Sequence, residues 1–394
     1  MTPGLTRRST PDADLSARLI AAILLFLAAI QVILAGQDKI PQVPAGIALT
    51  DPVALLNSRI ERGEVKLRYT PERGYLPSLL KELGIPVSSQ TLVFSKTSLQ
   101  TDRISSSTPR ALYFNDDVYV AWIPDAPMVE VASVDPRYGT IFYTLPQGET
   151  RTPSFVRLEQ PCLSCHGPVS DDVPAPLLLM MSSDMNESGD VVKDFLLTTD
   201  RSSFSERWGG WYVSGTSGNA KHMGRKVPSN TKRYLASHSD ITALLLLAHQ
   251  AEVHNRIGEV SQKFRPLSGS AGLGEAVEPL VKTLLFSGEA PLTEPIRGSS
   301  NFAAEFSKKG PRDRRGRSLR DLDLRSRLLR YPLSYLIYSE SFRQMPALAK
   351  ESVYRRLREV LSGRDQSGDF RHLTGADRKA IAEILTDTLP EFTN

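Results

Sequence analysis

Cys162 and Cys165 are the only cysteines in 394 residues, and His166 follows the second at once. With two Cys and six His in the whole sequence, chance assembles this run at odds on the order of 10⁻⁴. Two thiols three residues apart on a tight turn can add to the two vinyl groups on adjacent pyrroles of haem. An imidazole on the next residue then reaches the iron from the same side. The expected cofactor is one covalent haem c, attached through Cys162 and Cys165, with His166 as the proximal iron ligand. Three other chemistries use the same residues. A zinc half-site would need two more ligands, such as His222 and His254, without a second CxxC or an HxxxH spacing to supply them. A thioredoxin-like pair would want a βαβ context and has no use for the histidine. A disulfide across so short a loop is strained.

The opposite face of the iron decides what such a haem does. A methionine there raises the potential, a second histidine lowers it, and an open face admits small molecules. The candidates are His222, His238, His249, His254 and His372, with Met180, Met181, Met185 and Met223. Met180 and Met181 fall in a Leu-rich strand pattern that suits a core, and Met185 in a turn. The leading distal candidates are His254, His222 and His249, in that order. His249 and His254 share a predicted helix but sit roughly 140° apart around it, so both cannot face one iron. His222 follows Trp208–Gly218 (WGGWYVSGTSG), whose four glycines let backbone approach a ligand closely. That segment reads either as an aromatic-packed loop or as a pocket wall, with Trp211 or Tyr212 on the porphyrin and Arg207 pairing a propionate. No glycine-rich phosphate loop, HExxH, GxSxG or helically spaced carboxylate pair is present.

The rest of the chain must position these residues. Apolar residues are 40% and charged residues 23%, with 27 Pro and 26 Gly, a turn-rich globular balance. That excludes disorder as the main state, collagen, coiled coil and a multi-span membrane protein. Arg7, Arg8 and Arg18 precede Leu19–Gly36, an 18-residue run interrupted only by Gln31. A membrane span needs about 20 apolar residues and a signal-peptide core about 7–15. Ile33 and Leu34 stand where a cleavage site wants small side chains, so the expectation is an anchor, with a cleaved signal as the alternative. The positive lead keeps residues 1–18 cytoplasmic and sends residue 37 onward to the periplasmic side of a bacterial inner membrane.

Residues 37–50 read as a linker and 51–90 as helical. Strands are expected at 91–94, 111–114, 118–122, 129–134 and 140–145. Asn115-Asp116-Asp117 and Asp135–Gly139 make the turns of an antiparallel meander. A further pair is expected at 177–181 and 191–198. After about 233 the pattern turns helical. Asp240 caps a helix running to Phe264, and others fall at 275–285 (Pro279 limiting its first turn), 347–361 and 375–388, the last capped by Thr374. The fold class is α+β: a membrane segment in 1–36, the linker 37–50, a strand-rich haem-binding region 51–232 and a helical region 233–394.

The net charge of +4 is small for this length, which argues against nucleic acid. Between Lys308 and Arg330 ten Lys or Arg oppose three Asp, a face suited to solvent, anionic lipid or an acidic partner. The other expected partner is a redox protein whose identity the residues do not give.

Several stretches together resemble a known group. They are SQTLVFSKTS at 89–98, PRALYFND at 109–116, CLSCH at 162–166, RWGGWYVSGT at 207–216, His222-Met223-Gly224, and His249-Gln250 with His254-Asn255. The group is a bacterial family of single-haem cytochrome c domain-containing proteins with no established reaction. The likeness runs from about residue 50 to the C-terminus. It implies one covalent haem, and it implies that His222, His249 and His254 belong to the family pattern. Ser217 departs from that pattern, which has His after the Thr216 position, so no ligand is expected there. The function expected is periplasmic electron transfer. The alternatives are a haem-based gas or redox sensor with an open distal position, and a peroxidase-like haem oxidoreductase.

Overall fold

Asx turns and period-two burial organise the chain around one sheet. The computed structural model describes residue 43 and residues 47–158, 160–167, 175–264, 273–365 and 367–393. In chain order the strands are β1 Thr91–Val93, β2 Arg110–Phe114, β3 Val118–Trp122, β4 Met128–Asp135, β5 Gly139–Pro146 and β6 Val156–Leu158. The later strands are β7 Met181–Ser182, β8 Leu196–Leu197, β9 Trp211–Val213, β10 Gly215–Thr216, β11 Arg225–Lys226 and β12 Arg297–Gly298. Eight of them form one sheet in the order β11-β9-β1-β2-β3-β4-β5-β6, antiparallel except for β11 beside β9. The β2–β3 turn is made by Asn115, whose side-chain oxygen accepts from the backbone N–H of Asp117 and Val118 at 3.2 and 3.0 Å. Asp135 does the same between β4 and β5, accepting from Arg137 and Tyr138.

Alternate residues go to opposite faces. On one face Ala111, Tyr113, Val118, Val120, Val129, Val131, Ile141 and Leu145 are buried with Val53, Leu56 and Ile60 of helix α1 (Pro52–Glu61). Leu76, Leu79 and Leu80 of α2 (Leu76–Glu82) join the same cluster. The cysteine motif forms α3 (Gln160–His166). The other face receives α4 (Ile241–Phe264), whose Leu244, Leu247, Val253 and Ile257 share a core with Phe114, Tyr119 and Val134. Gly139 and Gly258 permit this contact: a Cβ on Gly258 would stand 3.3 Å from the Gly139 Cα. Behind α4 lie α5 (Leu273–Leu284), α6 (Phe302–Lys308), α7 (Glu340–Arg343), α8 (Ala347–Leu361) and α9 (Gly375–Thr388). Val43–Asn394 form one compact unit.

The α+β class and the antiparallel meander are as expected, as are the bounds of α8 and α9. Thr374 caps α9 in a capping box with Asp377. Three local readings are corrected. Trp208–Gly218 is not simply a loop, because β9 joins the sheet edge; Trp208 and Gly210 take φ of +69° and +87°, turning the chain onto β1. The strands expected at 177–181 and 191–198 shrink to a two-residue ladder between β7 and β8, with one bridge from Met185 to Val191. Pro279 lies inside α5 rather than in its first turn. Leu19–Gly36 lies outside the described residues. Among the described residues no helix is long and apolar enough to cross a membrane.

Much of the basic run is tied up within the chain. Arg314 pairs with Asp387, Arg315 and Arg317 with Glu383, and Arg327 with Asp377, pinning the 308–330 segment to α9.

Asp240 connects three elements. One carboxylate oxygen caps α4 by accepting from the N–H of Thr242 and Ala243, and the other accepts from Ser300 N and Oγ at 2.8 and 2.7 Å. The side chain is fully buried. Asp240→Ala strands these donors and is expected to cost about 3 kcal/mol, with Asp240→Asn costing roughly half as much, read from urea denaturation midpoints.

Candidate haem-attachment site

Helix α3 ends in Cys162, Cys165 and His166. Residues three apart share a helix face, so the two thiols lie one turn from each other. Neither is in a disulfide; Cys162 is half-buried and Cys165 exposed. Burial pushes the Cys162 thiol up to about 11, with the charge of Glu130 and the neighbouring Cys165 adding to it. A thioredoxin-like pair needs the opposite shift. The helix stops at Gly167, whose N–H donates to Leu163 O at 2.9 Å; a Cβ there would stand 2.5 Å from that oxygen.

His166 is oriented by the backbone. Its Nδ1 lies 2.8 Å from Leu177 O, and Leu177 N donates back to His166 O at 2.8 Å. A carbonyl only accepts, so Nδ1 carries the proton and Nε2 keeps its lone pair. That is the tautomer a metal ligand needs. Burial also holds the imidazole below its ordinary pKa, favouring the neutral form. The Phe142 ring of β5 packs on it at 4.8 Å between centroids. The 177–178 segment is itself clamped by Asn255 of α4, which accepts from Leu178 N at 2.7 Å and donates to Leu178 O at 2.9 Å. No spacing in the sequence marks Leu177, Phe142 or Asn255 as part of this arrangement.

The distal candidates are engaged elsewhere. The Tyr119 hydroxyl accepts from Gln250 Nε2 and hydrogen-bonds to His254 Nδ1 at 2.7 Å. His254 Nε2 lies 3.9 Å from Asp117. His249 donates from Nδ1 to Asp200 at 3.0 Å and accepts at Nε2 from Ser334 Oγ at 2.9 Å, stacked on Phe286. Burial works against the Asp200 carboxylate, yet His249 and the flanking Arg201 and Arg207 hold it below the usual range. This Asp–His–Ser order has the look of a nucleophile relay, but Ser334 is 0% exposed and gives substrate no access. His222 sits against Trp208 and accepts at Nδ1 from Gly224 N. His238 and His372 bond to the carbonyls of Ser88 and Leu285. Met180 is core, and Met223 Sδ accepts from Ser182 Oγ.

The expected pocket residues divide. Arg207 is buried and donates to the carbonyls of Asp200 and Ser202. Trp211 pairs with Val93 and Val93 with Arg110, which places it on the α4 side of the sheet, and its Nε1 donates to Met181 O. Tyr212 faces the other way, donating to Ser106 O. The zinc alternative lacks ligands: among the described residues no group of three or more His, Cys, Asp or Glu could hold a metal ion. Set against protein-family models, curated proteins and solved structures, the chain matches none.

Two outcomes test this geometry. Asn255→Ala should free the Leu178 backbone, costing about 1–3 kcal/mol and speeding hydrogen exchange of the Leu178 amide about tenfold or more. The second concerns pH. Burial pushes His254 down to about 3. The unfolded chain takes up that proton near pH 6.5, so this group costs up to about 1.4 kcal/mol per unit as pH falls below 6.5. His254→Gln, which keeps an acceptor for Tyr119, should therefore lose less stability than wild type between pH 6.5 and 4.5 in urea titrations.

Proposed function

We propose that the protein is an exported c-type cytochrome that carries one covalent haem and passes single electrons to a partner protein. One observation carries the reading: two free thiols share a face of α3, and the next residue, His166, is held by Leu177 O with Nε2 left as its ligand atom. These residues fit the group. Cys162 and Cys165 would hold the macrocycle as thioethers and His166 would ligate the iron. The haem supplies an iron that cycles between the ferric and ferrous states. The chain's part is to orient the imidazole, keep its Nδ1 proton on a backbone carbonyl and shield the site with the sheet. The Leu19–Gly36 run would place the folded part at the periplasmic face of the inner membrane. The CLSCH and RWGGWYVSGT segments support kinship with the single-haem family they resemble.

A second reading, a gas or redox sensor or a peroxidase-like enzyme, has one observation in its favour. The other five histidines all hydrogen-bond elsewhere, which favours an iron open on its distal side.

The test is intact mass and a pyridine haemochrome spectrum after expression with haem-c maturation machinery. Wild type should gain the mass of one haem with a c-type α-band, and Cys162→Ala/Cys165→Ala should lose both. Wild type without covalent haem sinks the proposal. Carbon monoxide then separates the two readings: an unchanged low-spin spectrum supports electron transfer, and a carbon monoxide complex supports sensing or catalysis.

A further inference from the structure

We infer that the haem is seated on the half-exposed part of the α4-side sheet face, with Arg110 as the partner of a haem propionate. This rests on the haem reading above.

The seat follows from register. Leu112 pairs with Ala121 and Ala121 with Glu130, so the three share a face, and Arg110 joins them two residues before Leu112. Ala132 and Phe142 pair on that same face one row away. The far end of the face is covered by α4, where Phe114, Tyr119 and Val134 are 3%, 6% and 2% exposed. Arg110, Leu112, Ala121, Glu130, Ala132 and Phe142 are all only half-buried. The opposite face carries no such opening, since its residues on β2 to β5 are buried throughout. Ala121 and Ala132 make a low floor between larger neighbours.

The occupant is indicated by what stands over the opening. The ring of His166 packs on Phe142 at the edge of the seat. Glu130 stands two residues from Ala132, the cross-strand partner of Phe142, so register puts the Arg110–Glu130 pair on the same face, one row from the ring that His166 packs on. A group attached through Cys162 and Cys165 has this apolar face beside it.

Arg110 supplies the polar contact. It reaches Glu130 with one long bond, Nη1 to Oε2 at 3.3 Å, while its Nε is buried without a partner. The other oxygen of Glu130 is taken by Ser98 Oγ at 2.6 Å and Gln100 Nε2 at 3.2 Å. A guanidinium with a buried spare donor beside an apolar floor suits an amphipathic ring that carries carboxylates. Glu130 holds Arg110 in place, and the propionate completes the arginine's hydrogen bonds.

The experiment uses the full chain matured with haem. Ala121→Trp fills the floor, and covalent haem content should fall roughly tenfold or more. Leu55→Trp, on α1 beneath the other face, should attach haem as wild type does. Arg110→Gln should keep the haem but lower its midpoint potential, because a cation that disfavours the ferric state is gone; Arg110→Lys should bring the potential most of the way back to the wild-type value. Wild-type haem content and spectrum in a folded Ala121→Trp protein overturn the seat while leaving the haem reading intact. If Ala121→Trp does not fold, the Arg110→Gln potential decides, and an unchanged value overturns the inference. Wild type without covalent haem overturns both readings.

Discussion

The structure depends on the burial of one helix with polar side chains. In α4 all residues but Asn255, Arg256 and Lys263 are buried. A buried polar group without a partner costs about 1–3 kcal/mol, so the polar side chains of α4 need partners inside the protein. The Thr242 and Ser261 hydroxyls go without, but the larger polar side chains find partners, in different directions. Gln250 donates to Asn115 O and Tyr119 on the sheet and accepts from Tyr335 on the far side. His249 joins Asp200 to Ser334. Asn255 holds the backbone of Leu178. Apolar packing alone would let the helix slide or rotate; these bonds allow one register against the sheet, the C-terminal segment and the 177–178 segment.

That dependence explains what was legible in the sequence. Strands β2 to β5 stood out because period-two alternation and the Asn115 and Asp135 turns are local signals, and α8 and α9 because caps and apolar spacing are local too. The cysteine motif was legible for the same reason. What escaped was nonlocal. Trp208–Gly218 reads as a glycine-rich loop until β1 is beside it, and only that pairing makes β9 a strand. His249 and His254 read as candidate ligands because a histidine on a helix shows its chemistry but not its partners. Asp200 and Tyr119, which engage them, lie 49 and 135 residues away. Arg110 lies far from the motif in sequence, and only strand register brings it to the α4-side face.

The site inherits its rigidity from the same helix. Asn255 fixes Leu178, the adjacent Leu177 carbonyl fixes the His166 ring, and Phe142 limits its rotation. An iron ligand held this way changes little when the metal charge changes, which suits electron transfer more than ligand-driven switching. Among the described residues the other five histidines hydrogen-bond to groups of their own. The contacts of His166 therefore specify one side of the proposed iron.

The surroundings of Cys162 bear differently on the three chemistries open to it. Metal-thiolate and thiol-exchange chemistry both run through the thiolate, and both want it stabilised. At Cys162 the surroundings do the reverse, since burial and the Glu130 charge disfavour the anion. A thioether has no proton to lose. Once sulfur is bonded to a haem vinyl carbon, the burial and the negative neighbour that penalise a thiolate cost nothing, and the same apolar surroundings become part of the macrocycle's cover. The environment of Cys162 is poor for the two rival chemistries and neutral to the third.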